Sequence, residues 1–185
     1  MLRQWAWRPI VLADLIKCSR EAQFPEIIRP ERQVLTNPTL DEIAEWFSRP
    51  AEMYSCDIET GARQIKCIGF ARSKSDSIVI PFVDLQKPGG NYWATIEDEI
   101  KAWKLVRDAL EGPIPKLGQN FMYDLQYLYR AGIRPRNCLH DTMLLHHSLF
   151  PEMQKGLGFM GSIYTNEAAW KLMRYEKVDS EKRDE

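Results

Sequence analysis

The chain lacks a C-x-x-C pair, a long apolar run, a surplus of charge of either sign, an internal repeat and any low-complexity tract. Each absence excludes a class. Apolar stretches such as Pro9 to Ala13 fall far below the roughly 18 residues of a membrane span, and the N-terminus has no signal-peptide core, so neither membrane insertion nor classical secretion is expected. The 25 basic and 26 acidic residues leave a net charge of −1, so no global field advertises nucleic acid, and an enzyme acting on it would need a local groove. Cys18, Cys56, Cys67 and Cys138 lie far apart, two of them in apolar strand-like runs, which predicts buried reduced thiols and a cytoplasmic setting. What is present, 44% apolar and 28% charged residues over 185 positions, suits one soluble domain with a proper core, or one domain plus an arm.

Residues 1 to about 50 read as an irregular lead-in interrupted by Pro9, Pro25, Pro30 and Pro38. At its end Thr39-Leu-Asp-Glu42 fits a capping box, followed by Leu40, Ile43, Ala44 and Phe47 at helical spacing. Three strand-like runs come next, Met53 to Asp57, Ile65 to Ala71 and Ser77 to Val83. After the turn Pro88-Gly89-Gly90-Asn91, a helix from Ile96 to Leu110 ends at Gly112-Pro113. A strand at Ile114 to Gly118, a helix at Phe121 to Ala131, a strand at Cys138 to His140 and a helix at Thr142 to Phe150 complete the order β-β-β-α-β-α-β-α. Three antiparallel strands followed by two parallel ones reached through helices describe an α/β, mixed five-stranded sheet flanked by helices, as in ribonuclease H-like domains.

The candidate chemistry starts with Asp57-Ile58-Glu59, read as closing the first strand with both carboxylates on one side. Two neighbouring carboxylates at an apolar strand end repel, and one is driven to protonate unless a cation neutralises them; hard oxygen donors suit Mg²⁺ or Mn²⁺. A third carboxylate stands in Leu117-Gly118-Gln119-Asn120-Phe121-Met122-Tyr123-Asp124, where Asn120 and Asp124 are four apart and Gly118 permits a sharp strand-to-helix turn. Taken alone, Asn120 reads as an ordinary N-cap and Asp124 as a solvated residue.

Taken together, Ser55-Cys56-Asp57-Ile58-Glu59-Thr60, the segment from Leu117 through Asp124 to Arg130-Ala131-Gly132-Ile133, and His140-Asp141-Thr142-Met143-Leu144 resemble the 3′→5′ proofreading exonuclease domain of family A DNA polymerases. Lys155-Gly156-Leu157 and Gly161-Ser162-Ile163-Tyr164-Thr165 are similar to stretches of the bacteriophage members, so the cell would be bacterial or phage-infected. The similarity covers about residues 50 to 175. It implies a lead-in over 1–50 and an exonuclease-like domain over 51–185, in which four carboxylates hold two divalent ions, Mg²⁺ or Mn²⁺. Asp57 would bridge both ions, Glu59 would bind one and orient the attacking water, and Asp124 would bind the second. Thr60, Gln119, Asn120 and Tyr123 would hold the 3′ end of single-stranded DNA, with a family A polymerase module as a possible partner. The family's last motif is matched in letters by Tyr175-Glu176-Lys177-Val178-Asp179, although the match comes early and the sequence is expected to stop short of the motif helix. The alternatives are a ribonuclease D-type exonuclease acting on RNA and an inert relic that binds strands or a partner without cleaving.

Three features carry less. Gly156-Leu157-Gly158-Phe159-Met160-Gly161 spells G-x-G-x-x-G but follows Pro151 and a helix, so it reads as a surface loop. His146-His147 lack completing ligands and read as structural. Asp141, the other candidate fourth carboxylate, reads as the N-cap of the helix that starts at Thr142.

Overall fold

In a computed structural model of the chain, residues 5–26 and 31–167 are described. In chain order the elements are α1 (Arg8–Glu21), β1 (Gln33–Leu35), α2 (Leu40–Ser48), β2 (Tyr54–Gly61), β3 (Gln64–Ala71), β4 (Asp76–Pro81), α3 (Ile96–Glu111), β5 (Lys116–Gly118), α4 (Phe121–Arg130), β6 (Cys138–Asp141), α5 (Thr142–Leu149) and α6 (Leu157–Tyr164). They divide into two units, Pro30–Thr142 and the combination of Met1–Arg29 with Met143–Glu185.

The first unit is a six-stranded sheet in the order β1-β4-β3-β2-β5-β6. β2, β3 and β4 form the expected antiparallel meander, and β5 and β6 extend it in parallel from β2. The sixth strand, missing from the expected five, is β1, which pairs in parallel with β4 at the edge. Three residues are too few to show alternation in a sequence. The core gathers Tyr54, Cys56 and Ile58 of β2, Ile65, Ile68 and Phe70 of β3, and Ile78 and Ile80 of β4 against Ile43 and Trp46 of α2 and Ala102, Val106 and Leu110 of α3. The predicted capping box holds α2 in place: Thr39 Oγ1 accepts from the Glu42 amide while the Glu42 carboxylate accepts from the Thr39 amide. Trp46, at the inner face of α2, stacks on Tyr54 and donates its indole N–H to Asp76 at the start of β4, which fixes helix to sheet by both apolar and polar contact.

The second unit holds α1, which the sequence reading passed over as irregular. Pro9 sits in its first turn, where the missing N–H has no intrahelical partner to lose, so a residue taken as an interruption starts the helix instead. Lys17 of α1 donates to the Thr165 carbonyl just past α6 and to that of Ser162. The G-x-G-x-x-G segment lies in α6 and its N-cap rather than in a loop. His146 is structural as expected: it is buried among Phe150, Phe159 and Tyr164, with Nδ1 2.8 Å from the Tyr164 hydroxyl. The thiols are all free, but only Cys56 is buried; Cys67 and Cys138 are half-buried and Cys18 is exposed. Among the described residues no helix is long and apolar enough to cross a membrane.

Candidate active site

The site is built where two strands part. β2 is flanked by antiparallel β3 and parallel β5, but its pairing with β5 is confined to Tyr54↔Lys116 and Ser55↔Leu117. β5 then ends at Gly118 and gives way to α4, whereas β2 runs on to Gly61, past the point where the sequence reading closed it. In open α/β sheets ligands bind at such carboxyl-end divergences. Along this stretch Cys56 and Ile58 face the core, while Asp57 and Glu59 are exposed on the opposite face, as alternation requires. The register with β3 shifts between Glu59 and Thr60, a bulge of the kind that re-aims side chains beside a site.

Asp124 closes the gap. Its Oδ1 accepts the Ile58 amide hydrogen at 3.0 Å, so a carboxylate from α4 stands in for the strand partner that β5 no longer supplies. It is not the solvated residue its sequence context alone suggested, since only 3% of it is exposed. Burial is the main cause that pushes its pKa from 3.8 up to about 6, with the charges of Asp57 and Asp141 acting the same way and the Ile58 hydrogen bond opposing them. An acidic side chain has been packed where its ionised form is disfavoured unless positive charge arrives.

The N-terminus of α4 is finished by an unexpected group. Asn120 occupies the N-cap position in the left-handed region (φ 55°, ψ 46°), and its side chain makes no cap hydrogen bond. Asp141, at the end of β6, accepts from the Asn120 amide at 3.1 Å and the Phe121 amide at 2.8 Å. Asp141 therefore caps α4 from across the β5–β6 ladder, a role its place in sequence did not suggest. Gly118 is required for space: a Cβ there would lie 2.4 Å from Cγ of Phe121.

Of the residues expected to hold a strand, two are joined to each other. The Thr60 and Tyr123 hydroxyls meet at 2.9 Å, tying the bulge of β2 to the first turn of α4. Gln119 instead takes a hydrogen bond from Thr142, which also donates to the Gly118 carbonyl at 3.2 Å. Tyr127, one turn beyond Tyr123, extends the aromatic surface with ring centroids 5.1 Å apart. Sequence reasoning missed Tyr127 and the capping role of Asp141; spacing of four from Tyr123 was the available signal for the first, whereas only the sheet pairing brings Asp141 to α4.

Asp57, Glu59 and Asp124 are hard oxygen donors, the chemistry that suits Mg²⁺ or Mn²⁺, and the buried Asp124 carboxyl favours a neighbouring cation. As they stand, no three His, Cys, Asp or Glu side chains among the described residues form a closed group that could hold a metal ion. The donor type thus fits a divalent ion, and Asp57 and Glu59 stand on the exposed face of β2. Asp179 lies outside the described residues.

No protein-family model matches the sequence, and no curated protein matches it. Solved structures do match in fold. The POL domain of Pol1 from M. smegmatis, in complex with DNA primer-template and dNTP, superposes with a TM-score of 0.55 at 17% identity, over 71% of this chain and 22% of that one. Escherichia coli RNase D, an exoribonuclease involved in structured RNA processing, gives 0.52 at 19% identity, over 77% of this chain and 35% of that one. A nuclease in its apo form gives 0.51 at 13% identity, over 77% and 65%. The chain spans less than two thirds of the length of each. The α/β, ribonuclease H-like arrangement is therefore the observed fold, and it is shared by a polymerase and an exoribonuclease alike.

Proposed function

We propose that this chain is a metal-dependent exonuclease that hydrolyses the 3′-terminal phosphodiester of single-stranded DNA. The observation that carries the reading is the buried Asp124 carboxylate, seated on the backbone between Asp57 and Glu59 at the open end of β2. The fold likeness to nucleases supports it. Asp57, Glu59 and Asp124 would hold Mg²⁺ or Mn²⁺, and a bound divalent ion supplies water activation and stabilisation of the leaving 3′ oxygen. Glu59, exposed next to the bulge, would orient the attacking water. Thr60 and Tyr123 would fix the terminal nucleotide through their paired hydroxyls, the Tyr123 ring offering a stacking face. The amides at the start of α4 are already taken by Asp141, so Asn120 and Gln119 would contact the strand through their side chains. Asp141 is a positioning residue, and Asp179 remains the proposed fourth carboxylate.

The likeness to an exoribonuclease favours a second reading, RNA as the substrate. Both are tested by digesting 5′-labelled single-stranded DNA and RNA with Mn²⁺ or Mg²⁺ present. Stepwise shortening from the 3′ end, lost in Asp57→Ala, is expected; the faster substrate decides between DNA and RNA. Binding without shortening of either would leave an inert strand-binding protein.

A further inference from the structure

One cavity of the sheet unit is not used by the site just described. It encloses about 270 Å³ between the β2–β3 turn, the segment after β4, and α3 and α4, and it is lined by Arg63, Gln64, Asn91, Tyr127 and Arg130. Among the described residues neither guanidinium has a carboxylate partner, and that of Arg130 lies 5.5 Å from the Tyr127 ring centroid. Glu99 also borders the cavity, its carboxylate accepting the Trp103 indole N–H at 3.4 Å, and two guanidiniums against this one carboxylate leave the lining with an excess of positive charge.

Two independent features aim this cavity at the strand. Tyr123, Tyr127 and Arg130 are spaced i, i+4, i+7 on α4 and so form one stripe, which begins at the Thr60–Tyr123 hydroxyl pair and ends at the cavity. Seven helical residues rise about 10.5 Å, the length of about three stacked nucleotides at 3.4 Å each. Arg63, on the facing side, sits with Ala62 in a two-residue hairpin loop where both have positive φ, 49° for Ala62 and 65° for Arg63. Asn-Gly is the favoured pair for such a loop, and non-glycine residues held there against their preference are a mark of functional segments.

We propose that this cavity is a second subsite of the same cleft, taking a backbone phosphate and sugar about three nucleotides inward from the terminus. The proposal rests on the exonuclease reading for the direction of the strand. Tyr127 presents a face to a base, while Arg63 and Arg130 supply planar donors to phosphate from opposite walls.

The test is anisotropy of a labelled ten-residue oligodeoxythymidylate and of a two-residue one, in EDTA, from about 50 to 200 mM salt. Arg63→Gln with Arg130→Gln should weaken the ten-residue oligomer at least tenfold and reduce the salt slope by about 0.7, the value for one single-strand phosphate contact. The dinucleotide, too short to reach the cavity, should change less than twofold. Lys74→Gln with Lys104→Gln, an equal charge loss from exposed positions outside the cavity, should change neither by more than twofold. An unaltered slope, equal weakening by the lysine pair, or no binding of the ten-residue oligomer by the parent chain would overturn the proposal. Arginine-dependent binding without any 3′ shortening would retain the subsite and reject the exonuclease; shortening with arginine-independent binding would do the reverse.

Discussion

Replacing Asp124 by Asn should stabilise the protein at neutral pH. The Asn side-chain oxygen can still accept the Ile58 amide, so the contact at 3.0 Å survives while the buried charge is removed. The Asp124 pKa of about 6 stands some two units above 3.8, and at 1.36 kcal/mol per unit the ionised group costs the fold about 3 kcal/mol. The sign follows from proton counts. Between about pH 4 and 6 the folded protein keeps a proton that the unfolded chain has released, so the contribution of this group to stability falls as pH rises and levels off above about 7. For a chain of this length 1 kcal/mol is about 2–4 °C in melting temperature, which gives a gain of about 6–12 °C for Asp124→Asn at pH 7.5 in EDTA, shrinking toward zero near pH 4. Asp124→Ala should gain less, because an unpaired buried amide costs about 1–3 kcal/mol. Thermal unfolding of the three proteins across that pH range is the assay. An Asn variant no more stable than the parent at pH 7.5, or an advantage independent of pH, would refute the reasoning.

Gly118→Ala should lower stability by about 1–3 kcal/mol in a denaturant titration, since the new methyl overlaps the Phe121 side chain. Asp141→Ala should cost about 0.5–2 kcal/mol through the uncapped start of α4, with Asp141→Asn recovering part of it; a loss of hydrolysis with no loss of stability would make Asp141 a ligand rather than a cap. Tyr123→Ala should weaken single-strand binding by about 1–3 kcal/mol, read by anisotropy, and an unchanged affinity would remove Tyr123 from the strand path.

The meander and the helix-linked strands β5 and β6 were legible because each carries its own local signal: β-branched runs broken by turns, a capping box at Thr39, helical spacing from Ile96 to Leu110. β1 was not, because a three-residue edge strand is defined by its partner and not by its own pattern. Proline misled in α1, where the same residue that stops a helix from within starts one at its first turn. Within the site, alternation correctly put Asp57 and Glu59 on one face. The links that cross the sheet could not be read from the chain. Asp124 to the Ile58 amide spans 66 residues and Asp141 to the Phe121 amide spans 20, and both exist only because β2, β5 and β6 lie side by side.

Those two hydrogen bonds also separate what the fold requires from what it does not. The divergence of β2 from β5 leaves the Ile58 amide in need of an acceptor, and any short side chain with an oxygen at position 124 would supply it. An amide would do so without burying charge, and by the same arithmetic it would be the better choice for stability by about 3 kcal/mol at neutral pH. The two acidic residues on the exposed face of β2 are not needed by the core, which is packed by the residues between them. Two carboxylates thus stand on the exposed face of β2, and a third is buried on the Ile58 amide between them against its own preference to be neutral. Local violations of this kind are where proteins give up stability for function. Under the proposed function, the charge that costs stability in the free protein would become the attraction that holds a divalent ion.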